Sequence, residues 1–400
     1  MTDTLIGLAH LMRRAHHGED LTPLGNQLLA QAEHASDAEC ANHLLDLSLI
    51  FQIRGQRDVA LNMQAAALQL RRVFHTPLTG AAQPSLRVLA LLSDGDAMAN
   101  TPLELLLEHS GIALDLLYLR SDEPLPAEIP DHDVLFVAVC ESDANQRLLQ
   151  QLAEMLRYWP RPVVNQPERI AGLTREGTYA QLKPVAGVSI PPSCRVGRVG
   201  LAQLGFGAAP ADILPGGRFP LIARPVNSHA GQGLVKLESP ADVSAYLAEQ
   251  ADVAEFSLAN FVDYRSADGL YRKFRLVLVD GQPFAGHMGV SGHWIIHYVN
   301  AGMTDDAAKR AEEAAFMASF EQDFAVRHQA ALAAIQQRFG LDYLVIDCAE
   351  TPDGDLLVFE VDSGAVVHAL DPVELFPYKI APMEKVFAAF RALLHRRAGR

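Results

Sequence analysis

The stretch 343–362, YLVIDCAETPDGDLLVFEVD, decides how the rest of the chain is read. Two runs of aliphatic and β-branched residues flank Asp353-Gly354, a dipeptide suited to a two-residue turn. With those residues at the tip, equidistant pairing sets Asp347 opposite Glu360. Asp362 lies two residues further along the same strand and shares that face. Leu344, Ile346, Leu357, Phe359 and Val361 make the other face a core surface. Carboxylates grouped this way lie roughly 5–8 Å apart and repel one another. A hard divalent cation removes that cost, because it prefers carboxylate oxygens and keeps sites for substrate phosphates. Asp347, Glu360 and Asp362 are therefore the candidate ligands for Mg²⁺ or Mn²⁺. The alternative is a solvated acidic face on an edge hairpin. Pro352 beside the turn would lengthen it and shift the pairing.

Three segments upstream add chemistry. In 219–237, FPLIARPVNSHAGQGLVKL, an apolar strand ends in Arg224, and a loop follows with His229, Gly231, Gln232 and Gly233. Glycines let backbone N–H groups approach a ligand closely, so such a loop can fold over phosphates. It also fits an ordinary hairpin loop. In 271–279, YRKFRLVLV, strand alternation puts Lys273 and Arg275 on one face, where they can offset a polyphosphate or simply face water. In 284–300, FAGHMGVSGHWIIHYVN, three histidines crowd among aromatics, and His293 and His297 share a face in either helix or strand. His287, His293, His297 and Asn300, with Arg272, are the candidate substrate contacts. A packing role is the competing reading.

Earlier segments set the architecture. Residues 86–165 alternate strand and helix: LRVLALL at 86–92, Asp115–Leu119, Asp133–Val139 and Pro162–Asn165, with helices opening at Thr101-Pro102 and running through Arg147–Tyr158. That order predicts a small parallel sheet. No GxGxxG follows the first strand, so the dinucleotide fingerprint is absent. Residues 1–75 read as helical. Ser36-Asp37 can cap a helix through Phe51, Gly55 breaks it, and a second helix follows from Val59 to Leu70. The small and apolar spacing resembles one tetratricopeptide unit, but one unit needs neighbours to bury its faces, and a plain helical hairpin packed on the rest is the favoured reading. After 166 the pattern is mainly strands with DG-type turns, interrupted by a helical stretch over 305–339.

Composition narrows the function. The 400 residues suit two or three domains, and 49% hydrophobic content rules out wholesale disorder. A net charge of −15 argues against a general nucleic-acid binder or a coat for anionic membranes. No apolar run nears the roughly 18–20 residues needed to span a bilayer. Met1-Thr2-Asp3-Thr4 leads into no secretory signal pattern. The four cysteines are scattered without a CxxC, which suggests neither zinc nor a redox pair, and a cytoplasmic location is expected.

Taken in order, from about Leu86 to the C-terminus, these motifs resemble the ATP-grasp superfamily, near its glutathione-synthetase and ribosomal-protein-glutamylating branch. The resemblance implies three parts: a tetratricopeptide-like helical extension (1–75), a pre-ATP-grasp α/β domain (85–165), and an ATP-grasp domain with mainly antiparallel sheets (166–400). It implies ATP as cosubstrate. Arg224 and the loop His229, Gly231, Gln232 and Gly233 would meet its phosphates, and Asn260, Phe261, Val262 and Asp263 its adenine and ribose. Arg275 and Lys273 would be the catalytic cations, with Asp347, Glu360 and Asp362 on the metal. The chain departs from the family pattern in carrying Arg224 for a lysine, Asn260 for a glutamate and Asp362 for an asparagine. An earlier family lysine has no counterpart near 175–181.

The implied reaction is ATP-dependent ligation of a small-molecule or peptide carboxylate to an amine through an acylphosphate, releasing ADP and phosphate. Two other readings stay open: a degenerate ATP-grasp scaffold, and an ATP-dependent phosphotransferase. The N-terminal helices could bind a peptide or protein partner, or a second copy of the chain.

Overall fold

The structure, a computed structural model, describes residues 4–228 and 231–400. Among these are fourteen α-helices and three sheets. The first four helices span Leu8–His16, Thr22–Ala32, Asp37–Ile53 and Arg57–Leu70. Ser36 caps the third reciprocally with Glu39, and Gly55 ends it at φ +72°. The chain then enters β1 (Val73–His75), β2 (Leu86–Ser93), β3 (Ile112–Leu119), β4 (Val134–Val137) and β5 (Val163–Val164). These five form one sheet in the order β1-β3-β2-β4-β5, parallel throughout except that β1 runs antiparallel to β3. The alternation of strand and helix over 86–165 thus builds the expected parallel sheet, and the helical segment before it donates an edge strand.

Next come β6 (Val188–Ser189), β7 (Ser193–Gly197), β8 (Leu221–Pro225), β9 (Val235–Leu237) and β10 (Glu255–Asn260). The last four form an antiparallel sheet ordered β7-β10-β8-β9. It has its own core around Leu201, Leu204, Phe256 and Leu258, separate from the main one. The third sheet joins β11 (Tyr271–Val279), β12 (Gln282–Ser291), β13 (Tyr343–Glu350) and β14 (Leu356–Asp362) to β6. Its order is β12-β11-β13-β14-β6, and only β6 is parallel to its neighbour.

The first and third sheets share one core with the closing helix Ile380–Arg397. Phe390 of that helix meets Phe136 of β4 at 5.8 Å and Tyr343 of β13 at 5.2 Å between ring centroids. Truncating a fully buried phenylalanine at such a junction costs about 3–5 kcal/mol. The stretch 305–339 is three helices, Ala307–Ser319, Phe324–Arg327 and Gln329–Phe339. Phe316 and Phe324 from it stack their edges on Phe274 of β11, each at 4.8 Å.

The β13–β14 hairpin keeps the expected pairing of Asp347 with Glu360 by a different route. Its loop is five residues, 351–355, with Thr351 N–H bonded to the Asp355 carbonyl and Gly354 N–H to that of Thr351. Pro352 thus widens the two-residue turn, and near the loop Cys348 pairs with Val358. A bulge at Phe359 then absorbs one residue and restores the Asp347–Glu360 register.

Candidate active-site cleft

A cleft of about 640 Å³ lies between the second and third sheets. Register sets its floor. Arg275 of β11 pairs with His287 of β12 on one side and with Asp347 of β13 on the other, and Asp347 pairs with Glu360 of β14. One row across four strands therefore carries four polar side chains. β12 bulges opposite Arg275, and Gly286 sits at the bulge. A Cβ there would press on the Arg275 backbone and side chain, so glycine lets the arginine keep its place.

Arg275 clasps Asp347 with Nε to Oδ1 at 2.8 Å and a second guanidinium nitrogen to Oδ2 at 3.0 Å. Its remaining nitrogen donates to the Val366 carbonyl at 2.9 Å. Lys273 reaches the same carboxylate at 2.7 Å. Burial alone would raise the Asp347 carboxyl, but Arg275 and Lys273 outweigh it and hold it well below the usual carboxylate range. Glu360 opens into the cleft and accepts from Arg175 at 2.8 Å. The surrounding protein pushes Glu360 up, Arg175 and Arg224 pull it down, and the balance lies below its ordinary value. Asp362 takes the Gly364 N–H at 2.8 Å, yet burial and the neighbouring Glu360 raise it to about 6.

Arg224, on β8 in the facing sheet, is drawn back onto its own loop. Its Nε donates to Ser228 Oγ at 3.0 Å and another nitrogen to the Ser228 carbonyl. Burial, and then the nearby Arg175, lower it to about 10. The cleft therefore presents Arg175, Arg224, Lys273 and Arg275 around Asp347, Glu360 and Asp362, with Glu141, Glu176 and Asp371 further along its lining. A clamp ties the second sheet to the loop after β4: Arg195 of β7 holds Asp143 through two bonds of 2.7 Å, and Asn227 of the glycine loop donates to Asp143 at 3.0 Å.

The three-carboxylate metal set takes a different form. Among the described residues no group of three or more His, Cys, Asp or Glu is spaced to hold a metal ion. Both oxygens of Asp347 are committed to Arg275 and Lys273. Glu360 and Asp362 remain, each with one oxygen free of a hydrogen-bond partner among the described residues. A buried carboxyl raised by its anionic neighbour is an environment that a divalent cation relieves, and Mg²⁺ is commonly held by one or two carboxylates plus phosphates and water. These two residues fit a metal.

The other expected contacts divide. Gly231, Asn260, Phe261, Val262, His287 and His297 line the cleft. Asn260 also ties to the Arg218 N–H and the Gly216 carbonyl, both at 3.3 Å. His287 is neutral: burial, then Arg275 and Lys379, push it well below 6.5. Burial and Lys273 lower His297. Its Nε2 is buried with no hydrogen-bond partner among the described residues, and Gly231 backs onto it so closely that a Cβ would collide. His229 lies outside the described residues.

Several expectations fail. Arg272 faces away and pairs with Asp268, at 2.6 Å, and Glu312, as the opposite parity to Lys273 and Arg275 requires. Asp263 is exposed and paired with Arg265 at 2.5 Å, outside the cleft. Asp268, which follows in the same loop, is spent on Arg272. His293 and Asn300 are exposed and away from the cleft, and Asn300 accepts the His297 N–H at 2.9 Å. His293 and His297 share no face, because β12 ends at Ser291 and a loop follows. Gln232 is exposed, and Gly233 serves the fold: its carbonyl takes Tyr246 Oη at 2.8 Å, and its φ of +64° suits glycine.

Arg175 was not among the expected site residues. It opens the helix Arg175–Leu182 behind the Thr174 cap, in the region where no lysine counterpart was found, so a cation there was legible. Asp371 and Lys379 also line the cleft, and no local pattern marks them.

No family model matches the sequence, and no curated protein does. Among solved structures, the chain is similar to a RimK-domain ATP-grasp protein from Sphaerobacter thermophilus. The match has 15% identity, covers 77% of this chain and 99% of that one, and has a TM-score of 0.43. It is also similar to the D-alanine–D-alanine ligase of Bacillus anthracis complexed with ATP (12%, covering 79% and 99%, TM-score 0.47). A third match is the VanG D-Ala:D-Ser ligase of Enterococcus faecalis (12%, covering 77% and 99%, TM-score 0.47).

Proposed function

We propose that the chain is an ATP-dependent carboxylate–amine ligase of the ATP-grasp kind, working through an acylphosphate. The observation that carries this is the cleft itself. Four cations, Arg175 from its helix, Arg224 from the second sheet and Lys273 and Arg275 from the third, converge on the Glu360–Asp362 pair. Joining an anionic carboxylate to an anionic triphosphate needs charge cancelled in place, and fixed cations in a partly dehydrated cleft do this better than water.

Each residue has a task. Lys273 and Arg275, fixed by Asp347, present positive charge to the transferring phosphoryl group without having to reorganise. Arg224 and the backbone of the loop at Gly231 cover the phosphates from the other sheet. The Asp143 clamp on Asn227 and Arg195 holds that cover shut, which limits hydrolysis of the acylphosphate. Phe261 and Val262 offer the apolar surface for a purine. Glu360 and Asp362 would hold Mg²⁺, which supplies charge neutralisation between phosphate oxygens when bound.

The test is a hydroxylamine-trapping screen with ATP and Mg²⁺ over amino acids and short peptides as carboxylates. A hydroxamate formed together with ADP supports the ligase. ADP formed with a stable phosphoester and no hydroxamate points to a phosphotransferase. Nucleotide binding without turnover points to a scaffold.

A further inference from the structure

Part of the cleft wall, around Lys379 and Asp371, takes no part in the nucleotide reading above. Lys379 lies there, 6% exposed, and donates to Asp371 Oδ2 at 2.9 Å and to Tyr298 Oη at 2.5 Å, with Glu313 at 3.4 Å. Glu313 is fully buried and saturated: Tyr298 and Tyr378 each donate to it at 2.7 Å, and the Met288 N–H at 3.0 Å. One cation thus faces two carboxylates, so the cluster keeps one negative charge, and of the two carboxylates Asp371 is the one that meets the cleft. Its Oδ1 has no hydrogen-bond partner among the described residues.

The surroundings are built for a small occupant. His368 accepts the Leu370 N–H on Nδ1 at 3.1 Å, which leaves Nε2 as its free nitrogen. Burial is the main cause of its lowering to about 4, so the ring is neutral near pH 7. His16, the last residue of the first helix, sits with its ring centroid 6.0 Å from that of His368, and both line the cleft. The helix is seated there by Ala9 and Met12, which pack with Val366 and Leu370. The Val366 carbonyl in turn accepts from Arg275. The pocket also adjoins the catalytic row, because His287 stacks on Tyr298 at 4.7 Å.

We infer that Asp371, walled by His16 and His368, receives the ammonium group of a primary-amine substrate, and that the N-terminal helix thereby completes the acceptor pocket. This rests on the ligase reading and names the second substrate class for it. The ammonium gives one proton to Asp371. The freed lone pair forms the C–N bond as the bond from acyl carbon to phosphate oxygen breaks. The electron pair leaves on phosphate, which takes a second nitrogen proton, and Asp371 returns its own to water.

The test compares two acceptors in the full-length protein with ATP, Mg²⁺ and the twenty common amino acids as carboxylate probes. Hydroxylamine is uncharged at neutral pH; ethylamine is an ammonium. In Asp371→Asn the ratio of ethylamide to hydroxamate is expected to fall roughly 30-fold or more, as when one member of a desolvated charge pair is removed. His16→Ala, which leaves the Lys379 pairing intact, is expected to raise the KM for ethylamine severalfold while leaving that for ATP. An unchanged product ratio in Asp371→Asn together with an unchanged ethylamine KM in His16→Ala overturns the proposal. So does an equal fall in both products in both variants. Wild-type protein that forms no hydroxamate with any probe contradicts the ligase reading itself, and the amine pocket falls with it.

Discussion

Arg275 and Asp347 are register partners on adjacent strands and are joined by two hydrogen bonds of 2.8 and 3.0 Å, so the side chain with the strongest metal-ligand pattern in the sequence is held by a cation. Asp347 acts as the anchor that fixes Arg275 and Lys273, and stability should record this. Asp347→Ala leaves two largely buried cations without their carboxylate and is expected to cost about 3–5 kcal/mol in urea titration. A loss under ~1 kcal/mol, the range of an exposed pair, would show that the clasp does not support the sheet.

Glu360→Gln should behave in the opposite way. Its bond to Arg175 lies where both side chains are a third to a half exposed, so the stability cost is expected to be about 0–1 kcal/mol. Activity should fall on the order of 10²-fold or more, since the variant weakens the hold on the Mg²⁺ that would offset the charge of the transferring phosphate. Phosphate-release kinetics beside a melting curve separate the two. Full activity with intact folding excludes Glu360 from the site.

Gly231→Ala is expected to open the loop over the cleft, because the new methyl meets His297 and the φ of +71° is strained for alanine. The KM for ATP should rise. His297→Ala in the same chain removes the obstacle and should recover part of the loss. A double variant no better than Gly231→Ala means that the collision with His297 is not the cause.

Two buried carboxyls should contribute a decline in stability from mildly acidic to neutral pH. Asp46 accepts the N–H groups of Ile6 and Gly7, and Glu104 that of Ala9, where the first helix docks. Burial raises Asp46 from 3.8 to about 6 and Glu104 from 4.5 to about 7. Over this range these two groups bind more protons in the folded than in the unfolded chain, so their contribution to stability falls as pH rises from about 4 to about 7 and then levels, while the buried histidines His287 and His368 contribute in the opposite sense. Glu104→Gln should raise the melting temperature at pH 8 and flatten this decline. An unchanged slope places the titration elsewhere.

How much of this was legible depends on range. Strand alternation correctly put Lys273 and Arg275 on one face, and the same rule places Arg272 on the other. The Asp347–Glu360 pairing was readable only because a longer turn and a bulge at Phe359 cancel. Past Ser291 the backbone leaves the strand, so periodicity says nothing about His293 or Asn300. Lys379, Asp371 and His16 belong to the cleft through tertiary packing alone, and no spacing in the chain joins residue 16 to residue 368.

The central claim is that the cations of both sheets and the Glu360–Asp362 pair hold a nucleotide triphosphate together with a divalent ion. Calorimetric titration of a non-hydrolysable ATP analogue, with and without Mg²⁺, tests it most directly. Wild-type protein should bind at least ~10-fold more tightly with Mg²⁺, a gain of about 1.4 kcal/mol, and the Glu360→Gln, Asp362→Asn double variant should lose that gain. Affinity that is absent, or identical with and without Mg²⁺ in both proteins, would contradict the account.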